Sequence, residues 1–505
     1  MNRRKFFYNG LLLTAVGLAV RSVSMAFNSY LTRVIGAEGI GVFTLIMTVY
    51  SFAVTFATSG ISLTVTRLVA SAIGDGREGS VRKIMRHACV YALVFSLSAS
   101  LILFFFAEYF GMGALGDVRT VVPLRILSLS LPAIALTSVF GGYFVGVRRV
   151  SRNAVVQVLG QVFKISVTLF FVLRYAGGGV ADACIALCLS TVSTELLVFL
   201  VGLLQFVYDR HRTRVKQNGS AAFSDVASMA LPIAVSAYIR SALLTLEHVL
   251  IPQRLRRGGS DLSESLSAYG MLHGMALPIL TFPMAPLSSF SGLLVPEFAE
   301  SLASGQGERM RRIADEALNL TLCYSAVAAV FLYVFSEELG FVIYDSYGAG
   351  SYIAFMAPVV PIMYLDHVTD SMLKGIGEQV YSMWVNISDS LLSVILVYVL
   401  IPVMGISGYA VVIILMEAFN FALSAVRLRK TVRFRIDLMR SFLLPFASSF
   451  IAASLCRSLF IMNGSEARPV LTLVKLLFSV SIFFAIYIPT SSFLKKVKTE
   501  KSAIS

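Results

Sequence analysis

The chain has 505 residues, of which 57% are hydrophobic and only 14% are charged, and its mean hydropathy is +0.80. Soluble domains carry about 25% charged residues, so this composition excludes a water-soluble globular protein and predicts a surface that mostly faces lipid. The net charge of +14 accompanies no nucleic-acid-binding motif, so nucleic acid is not expected as a partner.

Fourteen stretches of the chain are apolar enough and long enough for a transmembrane helix, which needs about 20 residues. They are predicted at 7–32, 40–69, 87–110, 120–146, 154–175, 182–207, 226–251, 267–299, 314–336, 351–373, 381–401, 408–426, 442–462 and 469–490. Lys and Arg in the termini and connecting loops are distributed unevenly, with 28 on the side of the N-terminus and 7 on the other. The positive-inside rule therefore predicts a multi-pass protein with both termini in the cytoplasm.

The two halves of the chain match each other, mostly at a displacement of 229 residues. The matches include Glu108 with Glu337, Pro132 with Pro361, Gly146 with Gly375 and, at a displacement of 219, Arg21 with Arg240. Matching Gly and Pro residues indicate shared backbone geometry. The sequence predicts an all-α membrane protein with two six-helix bundles related by a parallel repeat, at 1–225 and 226–440. Two further helices and a basic tail follow at 441–505. Such repeats are typical of transporters with a site between the halves that opens alternately to either side.

Several basic residues lie inside predicted spans, where a central Arg or Lys costs about 2.5–3.5 kcal/mol unless it faces a cavity or a partner. The candidates for a binding site are Arg21, Arg240, Lys164 and Arg67. Helical spacing places polar side chains on the faces of three of them, namely Ser24 and Asn28, Gln157 and Gln161, and Ser236. Guanidinium groups bind phosphate through bidentate hydrogen bonds. We therefore expect an anion-binding chamber lined by these polar residues.

Carboxylates also lie inside predicted spans, and the candidates for ion coupling are Glu195, Glu247, Glu417 and Asp389, with Asp366 and Asp370 nearer the cytoplasm. A membrane carboxylate can carry a coupling H⁺ or Na⁺. The alternative is that these groups balance the basic residues, with Glu195 or Glu247 in a salt bridge to the arginines of the first helices. For Arg67 the alternative is a side chain that extends to the membrane interface.

No motif of enzyme chemistry is present. The five cysteines lie in apolar runs without a CxxC pair, and the five histidines show no metal-ligand spacing. The chain contains no P-loop, catalytic triad or metalloprotease helix. The sequence therefore predicts no metal site, no cofactor and no enzymatic activity.

Several local motifs resemble those of a known superfamily. They are Ile35–Gly41 (IGAEGIG), Gly142–Gly146 (GYFVG), Gln157–Ser166, Leu294–Pro296, Glu337–Leu339 and Met356–Pro358. With them the chain resembles the multidrug/oligosaccharidyl-lipid/polysaccharide exporter superfamily and, within it, the stage V sporulation protein B-like polysaccharide flippases. The resemblance implies two six-helix bundles with a terminal pair of helices, and a polyprenyl-pyrophosphate-linked saccharide as cargo.

The resemblance also implies roles for individual residues. Related lipid II flippases hold the pyrophosphate with arginines on their first helices, and Arg21 matches that role by position; the repeat extends it to Arg240. Two departures bear on these roles. Gly160 and Lys164 stand where relatives can carry Glu and Arg, which weakens ion coupling through that helix. The basic motif that follows the first helix in lipid II flippases is absent, which argues against lipid II itself as the substrate.

Three hypotheses for function follow. The first is a flippase of the bacterial plasma membrane that moves a lipid-linked saccharide, a precursor of a cell-envelope or spore-envelope polysaccharide, by alternating access. Its partners would be membrane lipids and, as a candidate, a coupling H⁺ or Na⁺. The second is a cation-coupled multidrug antiporter on the same scaffold, which predicts an acidic chamber. The third is a non-transporting scaffold for envelope assembly, which predicts that replacing Arg21 and Arg240 leaves function intact.

Overall fold

The computed structural model describes residues 3–58, 60–74, 78–147, 149–175, 178–212, 223–461, 472, 474–485 and 487–488. Within these ranges every regular element is a helix, as predicted. In chain order the α-helices are α1 (Arg3–Thr58), α2 (Ile61–Gly74), α3 (Glu78–Phe105), α4 (Val121–Ser128), α5 (Leu131–Gly146), α6 (Val150–Tyr175), α7 (Val180–Arg212), α8 (Phe223–Arg257), α9 (Leu262–Tyr269), α10 (Leu277–Thr281), α11 (Ala285–Ala303), α12 (Gly307–Val334), α13 (Ser336–Tyr344), α14 (Tyr347–Met356), α15 (Val360–Gly375), α16 (Gln379–Met404), α17 (Ile406–Thr431) and α18 (Leu444–Ile461).

Eleven segments of the described residues are long and apolar enough to cross a membrane, or twelve if the bent pair Val118–Ser128 and Leu131–Gly146 forms one span. One of them, Ser22–Ile73, has 52 residues. At 1.5 Å per residue it extends about 78 Å, too far for a single crossing of a core about 30 Å thick. The last predicted span, 469–490, lies partly outside the described residues and includes the apolar helix Val474–Ala485. The multi-pass prediction is confirmed, and the count of fourteen stays a prediction.

The long helix α1 is interrupted at Gly36, whose backbone has φ 78° and ψ 172°. A residue with a side chain rarely adopts this conformation, so glycine is required at the kink. The kink falls in the gap between the predicted spans 7–32 and 40–69. It therefore supports two crossings within the stretch that α1 and α2 form together.

The described chain divides into two compact units. The N-terminal unit comprises Ile35–Ser267, and the C-terminal unit comprises the residues before Ile35 together with those from Ala268 onward. The packing units are thus divided at 34/35 and 267/268, whereas the lobes predicted from the repeat are divided at 225/226 and 440/441. The first limb of α1 belongs to the unit formed mainly by the second half of the chain. The predicted lobe boundaries describe the sequence repeat and stay a prediction.

The internal repeat is visible in the helix boundaries. Helices α3, α5 and α6 have 28, 16 and 26 residues, and α12, α15 and α16 have the same lengths. Each member of the second set begins 229 residues after its counterpart, which is the displacement found in the sequence. The two units are therefore built from the same succession of helices over this range.

A close helix contact recurs in both units at the same displacement. A Cβ atom added to Gly146 on α5 would lie 3.0 Å from Val69 on α2. A Cβ added to Gly375 on α15 would lie 2.7 Å from the Cβ of Phe298 on α11. Glycine is required at both crossings because the helices approach too closely for a side chain. The glycine match in the sequence thus marks a packing constraint.

A short helical connection also recurs. Gly116 has φ 70° and Asp345, at the matching position, has φ 56°, the one non-glycine residue with positive φ among those described. The next residue, Asp117 or Ser346, is extended and accepts a hydrogen bond from a backbone N–H at the start of the following helical turn. This is the usual N-cap arrangement. The backbone N–H groups of Asp117 and Ser346 also donate to the carbonyls of Gly111 and Gly340.

An ion pair joins the last two helices of each repeat, which are α6 and α7 in the N-terminal unit and α16 and α17 in the C-terminal unit. In the N-terminal unit Asp209 at the end of α7 is buried; it pairs with Arg149, lies 2.7 Å from Arg152 and accepts a hydrogen bond from Tyr143 at 2.9 Å. In the C-terminal unit Arg427 near the end of α17 pairs with Glu378 at 2.7 Å and lies over the ring of Tyr381. Glu378 occupies the position that matches Arg149, so the charges of the pair are exchanged.

Candidate transport site

Arg240 is the candidate cation whose surroundings are described most fully. It lies on α8 inside the span-forming segment Ala234–Arg257, and its side chain is exposed. It forms no ion pair with any residue that the structure describes. Ser236, one turn earlier, is half-buried, and Glu247, two turns later, is buried. Arg240 therefore presents a charge within a membrane span without the structural salt bridge that was the alternative.

Lys164 lies on α6 and is exposed inside the span-forming segment Val155–Tyr175. Glu195 on α7, the helix that packs along α6, interacts electrostatically with Lys164. Gln157 is exposed and Gln161 is half-buried on the same helix. The alternative of charge balance thus has support for Glu195, because a candidate cation acts on it electrostatically.

Arg67 is the third candidate cation of the N-terminal unit. It is exposed on α2, two turns before that helix ends at Gly74. It makes no ion pair with the described part of the chain. The position suits both a cavity and a side chain that extends to the membrane interface, so its role stays a prediction.

The first helix contains the remaining candidates. Arg21 is a residue of α1, and its side chain is not among those that the structure describes. Ser24 and Asn28 are half-buried, and the Asn28 amide donates to the Gly274 carbonyl at 3.3 Å. Further along α1, Arg33 donates to the carbonyls of Val342 and Ile343 at the end of α13. Asn28 therefore takes part in the packing of its own unit, and a cavity-lining role for it stays a prediction.

The C-terminal unit brings carboxylates together. Asp389 on α16 and Glu417 on α17 both interact electrostatically with Asp366 on α15. All three are half-buried in span-forming segments, and Asp366 Oδ1 has no hydrogen-bond partner among the described residues. Their neighbour Asp370 is neutralised by Lys374 at 2.6 Å. The charged groups that act on Glu417 are the carboxylates of Asp366 and Asp389, so this interior gathers acidic side chains.

Sequence reasoning selected Asp389 and Glu417 but did not select Asp366 as their partner. The three residues lie on consecutive helices at intervals of more than twenty residues, and only the packing of the helices brings them together. A usable signal was present, because each of these helices has a carboxylate within an apolar stretch, and α15 has a second one at Asp370. Among described residues, no group of three or more His, Cys, Asp and Glu side chains is arranged to hold a metal ion.

Comparison with known families decides the identity of the chain. The family model described as polysaccharide biosynthesis protein matches residues 6–302, more than half of the chain. The chain belongs to the polysaccharide biosynthesis protein family. A second model, MatE, matches residues 263–399.

Relatives extend over most of the chain. Stage V sporulation protein B of Bacillus subtilis is 27% identical over 464 residues, which cover 90% of this chain and 89% of that protein. The lipid II flippase MurJ of the same organism is 22% identical over 437 residues, covering 80% and 79%. Sporulation protein YkvU, also from Bacillus subtilis, is 21% identical over 406 residues, covering 79% and 88%.

Solved structures confirm the fold class. The inward closed form of the lipid II flippase MurJ superposes with a TM-score of 0.71 at 13% identity, covering 96% of this chain and 99% of that one. An inward-facing multidrug resistance MATE transporter of the MOP superfamily gives a TM-score of 0.64 at 15% identity, covering 82% and 95%. These likenesses show the fold, and the fold is that of the predicted superfamily.

Proposed function

We propose that this bacterial membrane protein is a flippase that translocates a polyprenyl-pyrophosphate-linked saccharide by alternating access. The membership in the polysaccharide biosynthesis family and the relatives named as a lipid II flippase and as sporulation proteins support this proposal. They favour a precursor of the cell envelope or spore envelope as the cargo. They also favour transport over enzymatic activity.

The observation that carries the proposal is the exposed Arg240 within a span-forming segment, with no described ion-pair partner. A charge in this position is costly unless it faces a polar cavity or binds a counter-charge. A diphosphate supplies two anionic groups whose oxygens match the guanidinium donors. In the proposal Arg21, Arg240, Lys164 and Arg67 contact the diphosphate, while Ser24, Asn28, Gln157, Gln161 and Ser236 line the chamber.

We assign ion coupling to the carboxylates, with Asp389 and Glu417 as the first choice and Glu195 and Glu247 as the second. Mutual interaction of Asp366, Asp389 and Glu417 supports this choice, because neighbouring carboxylates in a membrane interior are relieved by binding a cation. The coupling ion is H⁺ or Na⁺. Glu195 is the weaker candidate because the positive charge of Lys164 acts on it.

The test is reconstitution of the full chain into liposomes that contain a fluorescent polyprenyl-pyrophosphate glycan. We expect the wild type to move the glycan between leaflets, and Arg240→Ala and Lys164→Ala to slow this movement by about tenfold or more, since the loss of one charge-assisted hydrogen bond costs about 1.5–3 kcal/mol. The matched controls are Arg257→Ala, which alters an exposed arginine in the last turn of α8, and Arg174→Ala in the last turn of α6. Translocation by Arg240→Ala at the wild-type rate would contradict the cationic chamber and favour a scaffold role.

A cation-coupled multidrug antiporter is the second candidate function. It is favoured by the acidic interior of the C-terminal unit and by the MatE match over residues 263–399. The exposed cations of the N-terminal unit argue against it, because a cationic drug would be repelled by them. The test is export of a fluorescent cationic dye from the same liposomes. Export that Glu417→Gln abolishes and that the glycan lipid does not affect would support the antiporter in place of the flippase.

The proposed orientation places both termini in the cytoplasm, as the loop charges predict. It is tested by single cysteines introduced on a background without the five native cysteines. Lys83 is exposed in the basic first turns of α3. Lys83→Cys is expected to react with an impermeant thiol reagent only from the cytoplasmic side. Labelling from outside intact cells would reverse the orientation.

A further inference from the structure

One open groove of the C-terminal unit has no role in the proposed translocation. Its volume is about 450 Å³, and it lies among the end of α12, the start of α13, the end of α14 and residues 450–458 of α18. It is found at the end of the α12 span opposite to the basic residues with which α12 begins. A volume of this size accommodates a small polar headgroup.

The two walls of the groove differ in chemistry. The apolar wall is formed by Val334 and Ala354 with the rings of Tyr333 and Phe450, both of which are about half exposed. Aromatic side chains of this kind are typical of the level at which lipid headgroups meet the hydrocarbon. The groove therefore opens where both the glycerol region and the headgroup of a lipid are within reach.

The polar wall is provided by α18 and the start of α13. Arg457 donates to Glu337 at 3.1 Å and to the Val334 carbonyl at 3.2 Å, which leaves further N–H groups of the guanidinium for another acceptor. Ser454 and Ser458 stand one turn apart on the same face of α18 and also line the groove, and the Ser458 hydroxyl donates to the Leu455 carbonyl at 2.9 Å. The remaining guanidinium N–H groups and the Ser454 hydroxyl are suited to the oxygens of a phosphate.

The charge balance selects among phosphates. Besides Glu337, which is 62% exposed, the carboxylate of Glu338 lies 4.0 Å from Arg457, so two carboxylates surround one guanidinium. A purely anionic headgroup meets a net negative charge here. A headgroup with a primary ammonium beyond its phosphate matches both signs, because the ammonium hydrogen-bonds to the exposed Glu337.

The N-terminal unit has an ion pair that matches the one in the groove. Glu108, which matches Glu337 in the repeat, pairs with Arg125 at 2.7 Å, with exposures of 65% and 39% that resemble those of the other pair. Position 354, which matches Arg125, is alanine. In the C-terminal unit the arginine comes from the appended helix α18, and Ala354 leaves the space in which the groove opens.

We infer that this groove binds a zwitterionic phospholipid headgroup, with its phosphate on Arg457 and Ser454 and its primary ammonium on Glu337. The acyl chains extend along the ring faces of Tyr333 and Phe450. This lipid is a bound structural partner and not the transported cargo. Its site depends on helix α18, which lies outside the sequence repeat.

The test is native mass spectrometry of the full chain in detergent with dioleoyl phosphatidylethanolamine, phosphatidylcholine and phosphatidylglycerol as probes. The three probes share acyl chains, so differences in occupancy report on the headgroup. We expect phosphatidylethanolamine to be retained about threefold more than the other two, as one additional charge-assisted hydrogen bond at a solvent-exposed site implies. Glu337→Gln should reduce the retention of phosphatidylethanolamine to that of phosphatidylcholine. The matched control Glu108→Gln should leave the retention of phosphatidylethanolamine unchanged.

Ala354→Phe fills the groove without changing a charge and should displace the lipid, so it decides the question even if Glu337→Gln fails to fold. Equal retention of the three lipids by the wild type would overturn the inference. Equal loss from Glu108→Gln and Glu337→Gln, or unchanged retention by Ala354→Phe, would overturn it as well.

Discussion

The two units of this protein share a backbone plan and differ in the sign of the charges that they place in the membrane. The N-terminal unit exposes Arg67, Lys164 and Arg240 on span-forming helices. The C-terminal unit gathers Asp366, Asp389 and Glu417. The charges of the ion pairs that join the last two helices of each repeat are also exchanged. The carboxylate lies on α7 in the N-terminal unit, whereas the guanidinium lies on α17 in the C-terminal unit.

The comparison teaches which residues the fold fixes and which it leaves free for function. Helix crossings and turn conformations fix Gly146 and Gly375 and the left-handed positions Gly116 and Asp345, because another side chain or backbone conformation is strained there. The sign of a charged side chain can differ between the units, provided that an ion pair still joins the last two helices of each repeat. We therefore assign substrate binding mainly to the cations of the N-terminal unit, with Arg21 added from the first limb of α1, and ion coupling mainly to Asp389 and Glu417 of the C-terminal unit.

The largest effect is expected from the repeated helix crossings. Gly375→Ala should destabilise the protein by about 2–3 kcal/mol, since the new methyl group meets Phe298 at 2.7 Å and the Val295 carbonyl oxygen at 2.8 Å. Gly146→Ala should cost about 1 kcal/mol, because its nearest atoms lie at 3.0 Å. Thermal unfolding in detergent measures both. Gly292→Ala, which meets nothing within 4 Å, is the control, and a loss of stability from it equal to that from Gly375→Ala would refute the packing argument.

The reversed ion pairs should differ in strength. Asp209→Asn removes the charge from a buried carboxylate with three partners and should cost about 2 kcal/mol. Arg427→Gln breaks a pair whose members are 36% and 27% exposed, which water screens, so it should cost about 1 kcal/mol or less. The midpoint of unfolding should therefore fall further for Asp209→Asn. The surface variant Glu316→Gln serves as the control, and the opposite order would show that burial does not govern these pairs.

The smallest effects concern the left-handed turn. Gly116→Ala should destabilise the protein by about 1 kcal/mol because a Cβ is unfavourable at φ 70°. Asp345→Gly should stabilise it by about 0.5 kcal/mol, since glycine adopts φ 56° without this cost. Unfolding measurements on the two variants should thus give changes of opposite sign. Changes of the same sign would mean that side-chain contacts, and not the backbone, decide the residue at this turn.

Much of the fold could be predicted from the sequence because apolar length and repeated glycines are local signals. The displacement of 229 residues found in the sequence reproduces the boundaries of three helix pairs. The grouping of the first limb of α1 with the second half of the chain could not be predicted, since the kink at Gly36 does not specify where the limb packs. The electrostatic interaction of Asp366 with Asp389 and Glu417 depends on how helices that are distant in sequence pack, so it could not be predicted either. The same holds for Arg457, which pairs with Glu337 where the repeat has alanine at position 354.

The division of roles between the units is tested most directly by glycan-lipid translocation in liposomes with and without an imposed H⁺ or Na⁺ gradient. The account predicts that Arg240→Ala weakens glycan-lipid binding and slows translocation under every gradient. Glu417→Gln should retain binding but lose the acceleration that the gradient gives to the wild type. If Glu417→Gln abolishes binding while Arg240→Ala changes only the response to the gradient, the assignment of roles to the two units is contradicted.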